Sequence, residues 1–272
     1  MKLKAVFFDM DGVLFNSMPY HAEAWHQVMK QYGMNLSREE AYMHEGRTGA
    51  GTINIVSLRD RGYEATPAEI EEIYAEKSRL FNLNPPAEPM PGALDLLQQV
   101  KADGLMRVIV TGSGQRSLLD RLNHHFPDMF TRELMVTAFD VKLGKPNPEP
   151  YLMALQKAGV APDEAIVIEN APLGVRASVA AGIFTVAVNT GPLPESALLD
   201  EGANILFPSM QALADEWRMF VDTFNLFQPF QRLNRCEATF NLSTSSTKHG
   251  HYQEIPKLIV VKERPCRSKR LS

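Results

Sequence analysis

Val6-Phe7-Phe8-Asp9-Met10-Asp11-Gly12-Val13-Leu14-Phe15-Asn16-Ser17 carries an apolar run into two carboxylates one residue apart, with a glycine directly behind them. Such a run reads as a buried parallel strand, because strands covered on both faces are near-continuous hydrophobic sequences. Alternation along a strand sends Asp9 and Asp11 to the same side. Both acids then emerge at the carboxyl end, the edge at which open α/β sheets bind ligands. Two carboxylates so close repel each other unless a cation or a shared proton compensates. Mg²⁺ takes oxygen ligands and bridges readily to phosphate, so it is the simplest compensator. An Asp-x-Asp-Gly turn that merely caps a strand uses the same residue types.

Past the stiff segment Pro85-Pro86 to Pro91-Gly92, strand and helix signals alternate. Strands are expected at Met106–Thr111, near 134–137, at Ala165–Asn170, Ile183–Val188 and Asn204–Phe207. Helices are expected at 93–103, 115–125, 150–158, 172–181 and 209–220. That order predicts a doubly wound parallel sheet of the α/β class. Residues 19–85 read as helical throughout. Trp25, Val28, Met29 and Tyr32 fall at helical spacing ahead of Gly33, and Ser37-Arg38-Glu39-Glu40 matches a capping box. Thr66-Pro67 opens a helix whose single face carries Ile70, Ile73, Tyr74, Lys77, Leu80 and Phe81. Between these helices, His44 to Gly51 is a polar, glycine-rich break. The expected organisation is an α/β core of residues 1–18 and 86–222, a helical cap inserted at 19–85, and an extension of 223–272. The extension reads as disordered or artefactual, with one β-like run at Ile255–Val261.

The 272 residues, 44% hydrophobic and 22% charged, suit one large domain with a smaller insert. The net charge of −4 combines +6 over residues 225–272 with −10 over the remainder. So acidic a core repels a phosphate backbone, which excludes nucleic acid as a partner. No apolar stretch of signal-peptide length precedes Asp9, and no run approaches a membrane span. A cytoplasmic monomer without a membrane partner is the expectation. Cys236 and Cys266 imply no disulfide framework.

Chemistry gathers at four strand ends: Asp9 and Asp11, Thr111-Gly112-Ser113, Lys145 in a Gly-Lys-Pro-Asn-Pro loop, and Glu169-Asn170. Thr111 and Ser113 place hydroxyls beside a glycine turn at a helix N-terminus, a natural phosphate cradle. Lys145 supplies a point charge, although loop lysines are mostly solvated. Glu169 and Asn170 add oxygen ligands for Mg²⁺. With these residues in this order, the chain resembles the haloacid dehalogenase superfamily of phosphotransferases over residues 1–222. Phe8–Leu14, Val110–Ser113, Lys145 and Ile168–Gly174 look like its four motifs, and the helical insert looks like the small cap of the β-phosphoglucomutase subgroup.

The resemblance implies a Rossmann-like core and an aspartyl-phosphate mechanism. Asp9 would be the nucleophile and Asp11 the general acid and base. Thr111, Gly112, Ser113 and Lys145 would hold the phosphoryl group, with Mg²⁺ on Asp9, Asp11, Glu169 and Asn170. His21 and Lys77 match cap-side substrate positions of the mutase pattern. A snorkelling lysine and a half-buried histidine are their plain alternatives. The cap loop departs from the mutases. Their Lys-Gly-Val-Ser-Arg is replaced by Glu45-Gly46-Arg47-Thr48-Gly49, which removes the arginine that grips a distal phosphate. Glu45 beside the phosphate site would need a metal, and Glu45 with Asn170 resembles the inorganic pyrophosphatases of that subgroup. Pyrophosphate is therefore the expected substrate. A β-phosphoglucomutase or sugar-phosphate phosphatase is the alternative, and a non-catalytic phosphate-binding regulator is a reading from another class.

Overall fold

The computed structural model describes residues 2–113, 118–233 and 259–260. Strand β1 (Ala5–Phe8) is four apolar residues, all fully buried. The pleat sends Val6 and Phe8 into one core and Phe7 into another on the opposite face. A strand apolar on both sides is stable only in mid-sheet. There β1 pairs in parallel with β2 (Met106–Val110) and β4 (Ala165–Glu169), so that Phe7 lies opposite Val108 and Val167. With β3 (Met135–Val136), β5 (Phe184–Val188) and β6 (Ile205–Phe207) the order is β3-β2-β1-β4-β5-β6, all parallel. The strand order reverses beside β1, which puts a ligand crevice at its carboxyl end.

Helices α1 (Met18–Gln31), α2 (Arg38–Met43), α3 (Gly49–Arg61) and α4 (Pro67–Asn82) follow β1 directly. They pack around a core of their own that includes Ala22, Val28, Met29, Ile53, Val56, Ile73 and Leu80. Thr66 and Glu69 form the reciprocal capping box that opens α4. At Ser37 only half of such a box exists. Its hydroxyl accepts from Glu40 N at 2.9 Å, whereas the Glu40 carboxylate turns to Arg59 and His44. The glycine-rich break is also shorter than its composition suggests, because Thr48 caps Gly51 N and turns Gly49 and Gly51 into the first turn of α3.

Helices α5 (Ala93–Ala102), α6 (Leu118–His125), α7 (Glu149–Ala158), α8 (Pro172–Ala180), α9 (Glu195–Leu199) and α10 (Met210–Leu233) complete the layers. Helices α5, α6 and α10 share a core with Val6 and Phe8, while α7 and α8 cover Phe7. The doubly wound sheet is as expected, but the boundary at residue 222 is not. Helix α10 runs through it to Leu233. Phe224 is buried in the main core and meets the Phe184 ring edge-on at 5.1 Å, so burial of Trp217, Phe220, Val221 and Phe224 keeps the helix going. Beyond it, Ile259–Val260 forms a two-residue strand, β7, antiparallel to β6. The rest of the expected extension, including Cys236 and Cys266, lies outside the described residues. Among the described residues no helix is long and apolar enough to cross a membrane.

Burial of Phe224 predicts that Phe224→Ala lowers the unfolding free energy by about 3 kcal/mol, read by denaturant titration. An unchanged midpoint would place the end of the core before this residue.

Candidate active site

Strand β1 ends at Phe8, so alternation does not carry through to Asp11. Asp11 pairs instead in an isolated bridge with Phe15, and Gly12 takes φ +85°, a conformation that favours glycine. A Cβ on Gly12 would also stand 2.0 Å from Asn170 Nδ2. Both acids nevertheless line one cleft at this edge of the sheet, with different partners. Asp9 faces Lys145, and Asp11 faces Ser17 and His21.

Around Asp9 the groups are buried and densely paired. Lys145 Nζ donates to Asp9 Oδ1 at 2.5 Å, to Glu169 Oε1 at 2.6 Å and to the Val110 carbonyl at 3.2 Å. Glu169 Oε1 also accepts from the Tyr151 hydroxyl, and Oε2 accepts from the backbone N–H groups of Asn170 and Ala171. Four donors fill the roughly four lone-pair sites of one carboxylate. Glu169 therefore braces Lys145 from the end of β4, with its oxygens already taken up by donors rather than free for the metal expected there. Glu45, on the turn after α2, receives Asn170 Nδ2 on both oxygens at 3.2 Å. Burial, reinforced by Asp9, Glu169 and Asp11, pushes the Glu45 carboxyl well above its usual range. Asp9 is likewise pushed up to about 8 by burial, against the pull of Lys145. Lys145 is itself raised, because Asp9 and Glu169 outweigh its desolvation. One ammonium thus faces three carboxylates.

That imbalance tests whether a divalent cation suits the site. Among the described residues no three His, Cys, Asp or Glu side chains form a ready-made chelate. The donor set that fits includes an amide. Asn170 Oδ1 is buried and has no hydrogen-bond partner, beside Glu45 and the excess charge of Asp9. Asp9, Glu45 and Asn170 would hold a hard cation through oxygen, and the cation would return both acids to their ionised forms.

Asp11 lies in a different setting. Burial alone would raise it, but His21, the Ser17 hydroxyl at 2.5 Å and the charge of Arg121 hold it well below the usual carboxylate range. Lys77 Nζ lies 2.7 Å from His21 Nδ1. An ammonium can only donate, so the neutral ring carries its proton on Nε2, which stands 3.6 Å from Asp11 Oδ1. The ring stacks on Phe81 at 4.1 Å, and Lys77 Nζ sits 5.3 Å from Trp25 and 5.2 Å from Phe81. Lys77 is buried and faces the cleft, so the snorkelling alternative does not describe it. His21 is pushed down by burial and by Lys77.

A cavity of about 850 Å³ opens between the helical unit and the sheet edge. Asp9, Asp11, His21, Glu45, Lys77, Thr111, Gly112 and Ser113 line it, so the structure brings these expected residues to one place. Lys145, Glu169 and Asn170 sit behind that wall. Gly46 covers Lys145, since a Cβ there would meet Lys145 Cδ at 2.9 Å. Thr111 Oγ1 accepts from Ser113 N at 3.1 Å and shapes the loop. Ser17, Tyr151 and Arg121 carry no motif that singles them out. Ser17 stands in the opening stretch, and the other two become visible only through their contacts.

The chain matches the family model of the haloacid dehalogenase-like hydrolases over residues 3–182. It is 35% identical to hexitol phosphatase A of Escherichia coli over 70% of this chain and 84% of that one. It is 30% identical to the phosphorylated carbohydrates phosphatase of Thermotoga maritima over 74% of this chain and 92% of the relative. A solved structure from Bacteroides vulgatus, provisionally described as a β-phosphoglucomutase, is 64% identical with a TM-score of 0.80. That alignment covers 82% of this chain and 90% of the other.

Burial also depresses Lys77, to about 8, because desolvation disfavours the cation. Lysine is charged below its pKa, so activity that uses this charge falls as pH rises through about 8, not above 10. A pH profile of kcat/KM should show that limb, and Lys77→Met should flatten it. Persistence of the limb in the variant would assign it elsewhere.

Proposed function

The chain belongs to the haloacid dehalogenase-like hydrolases, in their β-phosphoglucomutase-like branch, and from that premise we propose a Mg²⁺-dependent phosphohydrolase that forms an aspartyl-phosphate on Asp9 and hydrolyses inorganic pyrophosphate. The observation that carries the substrate choice is Glu45. Its carboxyl joins the acidic cluster around Asp9 and accepts from the Asn170 amide on both oxygens. A cation that ionises it gives the site one more oxygen ligand, and the position offers no positive charge to grip the far end of an organic phosphate.

Lys145 fixes one oxygen of Asp9 and leaves the other to attack phosphorus. The bond from phosphorus to the leaving oxygen breaks, and Asp11 gives that oxygen its proton. Asp11 is ionised at rest, so it first takes up a proton from solvent, an uptake that the arrival of a polyanion beside it favours. Water then attacks the acyl phosphate while Asp11 takes the water's proton. The bond from phosphorus to Asp9 breaks and frees that carboxylate, while Asp11, left holding the water's proton, keeps it for the next leaving group or releases it to solvent. Thr111, Gly112 and Ser113 supply donors where the phosphoryl oxygens gather. When bound, the divalent cation lowers the charge barrier between the Asp9 carboxylate and the substrate.

A small sugar phosphate is the second reading, and the cavity volume favours it, being far larger than pyrophosphate alone needs. The sugar-phosphate phosphatases among the relatives point the same way.

Mg²⁺-dependent initial rates on pyrophosphate, β-glucose 1-phosphate and hexose 6-phosphates, measured side by side, should show pyrophosphate ahead in kcat/KM. Glu45→Ala should cut its turnover by about 10²–10³. Faster hexose-phosphate turnover, or an indifferent Glu45→Ala, would rule out the pyrophosphate reading.

A further inference from the structure

A second phosphate on the substrate needs its own cation, and α3 does not provide one. A Cβ at Gly49 would stand 2.3 Å from Tyr74 Cδ2, so the Tyr74 ring fills the space where a side chain would begin. Arg47, which also lines the cavity, lays its stem against Gly51, and the charge it feels is that of Arg176, not of Asp11.

Arg121 on α6 stands in the right place. It lines the same cavity, its guanidinium carbon lies 4.1 Å from the Phe15 ring centroid, and Phe15 pairs with Asp11. Its Nε and Nη2 are buried and have no hydrogen-bond partner among the described residues. Buried donors are normally satisfied, and a guanidinium left unpaired away from water is costly. The planar fork matches phosphate oxygens two at a time. The ring beneath it restricts the plane in advance. The two phosphorus atoms of pyrophosphate share one oxygen. A cation for the second phosphoryl group must therefore flank the acid that protonates that oxygen, and cannot sit a sugar's width away.

We propose that Arg121 binds the leaving phosphoryl group of an inorganic diphosphate beside Asp11. This rests on the pyrophosphate reading and adds to it the residue that selects a doubly phosphorylated substrate. The alternative role is a counter-charge that only tunes Asp11, and that role would act on every substrate equally.

The test compares Arg121→Met and Arg121→Lys with the parent protein on pyrophosphate and on p-nitrophenyl phosphate, whose leaving group carries no second phosphoryl. Arg121→Met should lower kcat/KM for pyrophosphate about 10- to 100-fold, chiefly through KM, and should cost the aryl ester several-fold less, that smaller loss being the shared effect on Asp11. Arg121→Lys should recover part of the loss. Calorimetry with non-hydrolysable imidodiphosphate should show the same weakening, and matching thermal melts guard against misfolding. Equal losses on both substrates, or unchanged imidodiphosphate binding, overturn the Arg121 assignment while leaving the pyrophosphate reading intact. A parent protein that neither hydrolyses pyrophosphate nor binds imidodiphosphate overturns both.

Discussion

One buried ammonium ties the catalytic edge of the sheet together. Lys145 comes from the loop before α7, yet it holds the carboxylate after β1, the last carbonyl of β2 and the carboxylate that ends β4. Three neighbouring strands are registered at one point. Tyr151 and the backbone amides of Asn170 and Ala171, in the turn before α8, complete the arrangement through Glu169. Removing one partner from such a buried set typically costs about 3–5 kcal/mol, because the remaining charge is stranded. A Cβ on Gly174 would stand 1.8 Å from Glu169 Oε1, so α8 can approach closely enough only as glycine.

Around this fixed point two carboxylates are pushed apart in character. Asp9 lies among like charges and is raised, whereas Asp11 lies among donors and cations and is lowered. Environments that separate paired acids in this way assign them separate tasks. The helical unit contributes to each half. Glu45 adds to the acidic side, and His21 with Lys77 serves the other. A change in the loop after α2 therefore alters the charge balance at Asp9 without touching the sheet.

Much of this was legible beforehand, for physical reasons. A strand apolar on both faces must be central, and polar groups at the ends of parallel strands must share an edge, so β1, β4 and the meeting of Asp9, Thr111 and Glu169 followed from pattern alone. Local chemistry was readable where it was self-contained, as at Thr66 with Glu69. It failed where a distant partner competed, since Arg59 draws Glu40 away from Ser37. Glu169 looked like a ligand because its residue type suits one, but its donors come from α7, the turn before α8 and a remote lysine. Asp9 and Asp11 reach the same cavity even though the strand stops at Phe8, and their different partners come from the turn that follows. The reach of α10 is hidden in the sequence because Phe224 is held in the core by contacts such as that with Phe184 on β5, distant in the chain. Arg121 had no signature at all, being one arginine on a short helix until Phe15 and Asp11 stand next to it.

The claim on which the rest depends is that Asp9 receives the phosphoryl group. Rapid acid quenching during steady-state turnover of pyrophosphate, followed by mass spectrometry of the peptide that contains Asp9, tests it directly. The account predicts one phosphoryl mass on that peptide, localised to Asp9 and absent from Asp9→Asn. A full rate of turnover with that peptide unmodified at every quench time would contradict it.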